Sequence, residues 1–168
     1  MRFNLKLIAN VLGLLLFLNG TFILLCIPFS VYYQESWLPI LAAGLITSSV
    51  GAVLWLTTKK YKSKELKKKD GYLIVTLGWL FMSLFGTLPF VLSGTIPVFT
   101  DAFFETISGF TTTGATILVD IESAPKGILF WRSLTQWIGG MGIIVLAVDN
   151  FQLLGIGGMQ LFVAEATG

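Results

Sequence analysis

DAFFETISGFTTTGAT, residues Asp101 to Thr116, is a polar stretch inside an otherwise apolar chain. Its first half is compatible with a helix, and Asp101 is of a type suited to cap one. Its second half runs three threonines, Thr111, Thr112 and Thr113, into Gly114 and Ala115. Within a bilayer, non-helical backbone is tolerated only where protein buries it or where it lines a watery path. A path lined by backbone carbonyls suits a dehydrated cation. The stretch therefore reads as a short pore helix, about 101–109, followed by one strand of an ion filter, about 111–116. The bland alternative is an ordinary polar loop, because Thr-Gly pairs are common in turns.

The surrounding composition decides in favour of a membrane. Of 168 residues, 55% are hydrophobic and only 12% charged, against roughly 25% charged in soluble domains. No charge occurs from Leu7 to Gln34, from Ser36 to Thr58, or from Gly71 to Thr100. Each gap exceeds the roughly 20 apolar residues that cross a bilayer. The expected fold class is all-α integral membrane: two N-terminal transmembrane helices (1–58), a basic loop (59–70), a helix–pore helix–filter–helix unit (71–148) and a glycine-rich tail (149–168). The first apolar run, Leu7 to Val31, is too long for a cleaved signal peptide and lacks a small-residue cleavage site, so it is expected to stay as a helix.

Taken in order, the first helix is expected over Leu5–Phe29, with Pro28 near its outer end and Asn10 and Asn19 bonding to neighbouring helices. Tyr32, Tyr33 and Trp37 form an aromatic cluster of the interfacial kind. The second helix is expected over Trp37–Thr58, with Gly44, Ser48, Ser49 and Gly51 giving it a small-residue side. The loop Lys59–Asp70, KKYKSKELKKKD, sets seven lysines against two acids, a surplus of five positive charges. Such a loop between two spans reads as positive-inside and as no nucleic-acid site. The third helix is expected over Tyr72–Leu92 and the fourth over Gly127–Val148, with Arg132 and Gln136 near its start.

The lysine loop places the N-terminus, with Arg2 and Lys6, on the cytoplasmic side, and the tail with it. The polar stretch then enters from outside. Glu35, Asp101, Glu105, Asp120 and Glu122 lie on that side against Lys126 and Arg132, and an acidic mouth attracts cations.

A carbonyl filter needs Thr112, Thr113, Gly114 and Ala115 to present their backbone oxygens together. Gly114 supplies a backbone conformation closed to other residues, and an added side chain there is expected to crowd the pore helix behind the strand. The negative C-terminal end of that helix would favour a cation. Arg132 has two readings. It snorkels from the outer end of its helix, or it pairs with Glu105 and holds the filter from behind.

The combination SGFTTTGAT, WRSLTQWIGGMGIIVLAV and LLGIGGMQLF resembles the first part of the bacterial Trk-type potassium uptake family, within the wider Trk/Ktr/HKT superfamily. The resemblance covers essentially the whole chain. It implies four tandem pore units around a central K⁺ path, each donating a filter strand built on a glycine, here Gly114 with Thr112, Thr113 and Ala115. It also implies an inner-membrane protein, no cofactor beyond K⁺ as the transported ion, and a separate cytoplasmic nucleotide-binding regulatory subunit as partner. Two departures stand out. This chain carries one pore unit, so a ring requires further units in the same or other chains. Asp149, Asn150 and Val163 replace the apolar-proline and basic residues usual in the tail, which puts the cytoplasmic docking surface in question.

The expected function is potassium uptake, as part of an ion-translocating subunit. The alternative is a truncated, non-conducting membrane fragment with an assembly role or none. An enzyme is disfavoured: histidine is absent, Cys26 is alone in an apolar run, and the acids cluster on outer loops. Nor is there a GxxxxGK phosphate loop.

Overall fold

The computed structural model describes residues 4–59 and 68–153. Most of the lysine loop and the tail beyond Leu153, including Val163, lie outside the described residues. The helices are α1 (Leu5–Leu24), α2 (Ile27–Tyr32), α3 (Leu38–Thr58), α4 (Lys68–Gly86), α5 (Leu88–Leu92), α6 (Phe99–Phe110) and α7 (Lys126–Leu153). Among the described residues there is no β-strand.

Among the described residues, three stretches are long and apolar enough to cross a membrane: Leu5–Tyr32, Leu38–Thr58 and Asp70–Leu92. The fourth expected span, α7, is 28 residues long, but it is not among them. Its described side chains include Lys126, Arg132 and Gln136.

Two of the expected helices are broken. The first ends at Leu24 and restarts at Ile27, because Pro28 has no N–H for the Leu24 carbonyl. The third breaks at Thr87 for the same reason at Pro89. The other expected limits shift. The basic loop is already helical from Lys68, and α7 starts one residue early and continues through Asp149 and Asn150 to Leu153.

Packing fixes the directions. A Cβ on Gly20 would overlap the Ser48 backbone, one on Gly51 the Phe17 backbone, and one on Gly44 the Leu24 side chain. Partner numbers fall on α3 as they rise on α1, so the two helices are antiparallel and in close approach, as glycine-lined membrane interfaces are. Asn10 Nδ2 donates across this interface to the Trp55 carbonyl (3.0 Å) and Thr58 Oγ1 (3.1 Å). Asn19 Nδ2 donates to the Met82 carbonyl of α4 at 3.3 Å, and Leu15 faces Gly78. Here the numbers rise together, so α1 and α4 are parallel.

In the second half, α6 meets α4 in antiparallel sense, with Thr106 facing Gly86 and Phe110 facing Trp79. It meets α7 in parallel sense, through Glu105 with Arg132, Gly109 with Thr135 and Phe110 with Gly139. Two consecutive parallel helices require the chain between them to climb back. At 12 residues, α6 is only about 18 Å long, well short of a ~30 Å hydrocarbon core. The unit is therefore a helix, a re-entrant helix, a return segment and a second long helix. Trp131, Phe90, Phe110 and Ile128 are fully buried at its centre.

Candidate functional site

The re-entrant helix starts at Phe99, two residues before the expected limit. Val98, in extended conformation, is its N-cap, and Asp101 lies inside the first turn without a side-chain capping bond. The expectation that Asp101 caps the helix is thus corrected. An acid in the first turn still complements the positive end of the helix.

The end of α6 is closed by its own backbone. Thr112 N–H donates to the Gly109 carbonyl at 2.9 Å, and Thr113 N–H to the Ser108 carbonyl at 3.0 Å. These two bonds form a Schellman ending, which places its left-handed residue just after the cap. That residue is Thr112, with φ +56°. A β-branched side chain there is uncommon and unfavourable. Gly114 follows with φ +76°, while Thr113 between them has no positive φ. Thr111 Oγ1 donates to the Ile107 carbonyl at 2.7 Å and lies 2.9 Å from Thr113 Oγ1.

Behind this segment sits Glu105, 1% exposed. Its carboxylate accepts from Thr116 Oγ1 at 3.0 Å on both oxygens and from Ile117 N–H at 2.8 Å. Arg132 Nε donates to Oε1 at 2.5 Å. A charge so buried requires a partner and filled lone pairs, and α7 and the return segment together supply them. The Arg132 side chain, 17% exposed, points at Glu105. Ser108 Oγ donates to the Ala115 carbonyl at 2.7 Å. The return segment therefore runs back along α6, tied at Ala115, Thr116 and Ile117.

The seam between α6 and α7 is close. A Cβ on Gly139 would overlap the Phe110 carbonyl, and one on Gly109 the Thr135 hydroxyl. Trp131 Nε1 donates to the Gly86 carbonyl at 2.9 Å, at the break between α4 and α5.

The structure thus brings Thr112, Thr113, Gly114, Ala115, Glu105 and Arg132 into one locale. Two expectations change. The Ala115 carbonyl, expected among the ion-facing oxygens, is turned to α6 by Ser108. A Cβ on Gly114 meets nothing within 4 Å, so crowding is not what reserves that position for glycine; the left-handed φ is. Thr111 to Ile117 are all exposed, so the segment shows an open face on the side away from α6. Sequence reasoning missed Ser108, Thr116 and Ile117. Ser108 lies three residues from Glu105, on one helix face, and that spacing was a usable signal. For the Ile117 amide there was none.

The chain is similar to known proteins. The family model described as "TrkH: Cation transport protein" matches residues 38–168. The "Trk system potassium uptake protein TrkH" of Salmonella typhimurium is 44% identical over 163 residues, covering 96% of this chain and 34% of that protein. The "Trk system potassium uptake protein TrkG" of Escherichia coli is 35% identical, covering 98% of this chain and 34% of its own length. The crystal structure of the potassium transporter TrkH from Vibrio parahaemolyticus superposes with a TM-score of 0.83 at 41% identity, over 97% of this chain and 35% of that one. The chain spans about a third of the length of the curated relatives it matches. On the family match and these identities, the chain belongs to the TrkH cation transport family.

Proposed function

We propose that this chain supplies one wall of a potassium uptake path, with the carbonyls of Thr112, Thr113 and Gly114 facing the ion. One observation carries the reading: left-handed residues at Thr112 and Gly114 flank Thr113, on an exposed segment bonded along its back. In an ordinary strand, successive residues face opposite sides. Alternating the sign of φ breaks that pleat and turns successive carbonyls toward one side, which is the arrangement that replaces a cation's hydration shell. Ala115 is then an anchor, tied by Ser108.

One segment cannot surround an ion, so the ring needs further pore units, in the same chain or in others. The names of the relatives support K⁺ as the ion. On this reading the lysine-rich loop Lys59–Asp70 faces the cytoplasm of an inner-membrane protein, with the N-terminus and tail on the same side. A cytoplasmic nucleotide-binding regulatory subunit belongs to the same reading and rests on the family resemblance.

The test is a graft. This segment replaces the corresponding third of the Salmonella protein, in cells that lack other potassium uptake. Growth at low K⁺ and Rb⁺ uptake are expected from the graft, and neither from the 168-residue chain alone. A graft that inserts in the membrane yet carries no Rb⁺ would overturn the reading in favour of a non-conducting fragment.

A further inference from the structure

An acid in the segment that precedes the pore unit caps the start of α7. Glu35 lies between α2 and α3, and its carboxylate accepts from Lys126 N–H at 2.8 Å and Gly127 N–H at 3.2 Å. These are orphan amides of the first turn of α7, and a negative charge is favoured at that end. Glu35 is itself held. Its N–H donates to the Ser30 carbonyl at 2.8 Å and the Gln34 N–H to the Val31 carbonyl at 3.1 Å. Gln34 has φ +58°, so α2 closes with the same Schellman ending as α6.

The surrounding contacts keep α2 on α7. A Cβ on Gly127 would overlap Ser30 Oγ, and Phe29 stacks on Phe130 with ring centroids 3.7 Å apart. The carboxylate cap thus sits at a junction where neither backbone has room to slide. Arg132 follows six residues later, roughly 9 Å down a rigid helix, and bonds Glu105. Glu105 in turn holds Thr116 and Ile117.

We infer that Glu35 is a positioning residue for the filter. It fixes the outer end of α7, and through Arg132 and Glu105 it fixes where the return segment stands. This inference rests on the proposed K⁺ path. Losing a cap of this kind weakens a helix end by about 1 kcal/mol; felt at the ion site, that is roughly a fivefold change in affinity.

The experiment uses the grafted transporter, with uptake normalised to protein in the membrane. Glu35→Ala is expected to raise the Rb⁺ concentration for half-maximal uptake about fivefold and to lower the Rb⁺/Na⁺ ratio. Glu35→Gln, which keeps one acceptor, is expected to fall between Ala and Glu. Combining Glu35→Ala with Glu105→Gln should add less than the two single effects multiplied. An unchanged half-maximal concentration and Rb⁺/Na⁺ ratio in Glu35→Ala, with only less protein inserted, would reduce Glu35 to a folding role and overturn the inference. If Glu35→Ala leaves no insertable protein, Glu35→Gln carries the same test. An unsubstituted graft that fails to carry Rb⁺ would instead be a failure of the path itself.

Discussion

Between α1 and α3, backbone meets backbone; between α6, its return segment and α7, side chains meet backbone that has left the helix. At the first interface both partners are continuous helix over Leu5–Leu24 and Leu38–Thr58. Lipid is as apolar as the side chains, so close approach at Gly20, Gly44 and Gly51 is what gains contact. At the second, the segment from Thr111 to Pro125 has no helix of its own. Unpaired peptide groups are costly in a membrane, and α6 supplies partners for Thr112, Thr113, Ala115 and Ile117. The buried acid and the hydroxyls are placed where backbone leaves the helix, which is also where a path for ions becomes possible.

The largest effect is expected where that polar support is cut. Glu105→Ala leaves Arg132 unpaired and the Ile117 amide without its acceptor, and should cost about 3–5 kcal/mol. Loss of folded protein on gentle detergent extraction would report it. Arg132→Gln and Glu105→Gln should each lower folded yield, and the double variant should be no worse than either; additive losses would return Arg132 to a snorkelling role.

The apolar interface breaks differently. Gly51→Leu drives a side chain into the Phe17 backbone, an overpacking worth about 1–3 kcal/mol. It should lower the thermal stability of the detergent-solubilised protein and leave the Rb⁺/Na⁺ ratio of the surviving protein unchanged. A changed ratio would mean that the two interfaces are not separable. Trp131→Phe keeps the ring in the core but leaves the Gly86 carbonyl unpaired, at a cost of about 1–3 kcal/mol. The smallest effect has the opposite sign. Thr112→Gly relieves a left-handed residue and should stabilise by up to about 1 kcal/mol, read as a higher melting temperature. A lower one would show that the Thr112 side chain makes a contact stronger than the strain.

Much of this was legible in the sequence. Charge-free runs mark the spans, and Gly44, Ser48 and Gly51 of α3 mark the side that meets α1, while Ser49, expected with them, is exposed. The segment proposed as the filter stood out because three threonines and a glycine are out of place in an apolar core. What escaped has a common cause. The breaks after Leu24 and Gly86 depend on where prolines remove N–H donors and on what packs beside the break, as Trp131 does in bonding the Gly86 carbonyl. The turning of the Ala115 carbonyl depends on a serine seven residues earlier. Glu35 was legible only as one acid among several on the outer side. Its partners are 91 and 92 residues away, and no local pattern encodes that distance.

The most direct test of the carbonyl account is Gly114→Ser in the grafted transporter, read as the ratio of Rb⁺ to Na⁺ uptake per inserted protein. A Cβ there meets open space but opposes φ +76°, at about 1–2 kcal/mol. The ratio should therefore fall while the amount of folded protein changes little, and Thr113→Ser, which keeps both carbonyl and hydroxyl, should be mild. An unchanged ratio in Gly114→Ser, with selectivity abolished in Thr113→Ser, would contradict the account and assign selection to the threonine hydroxyls.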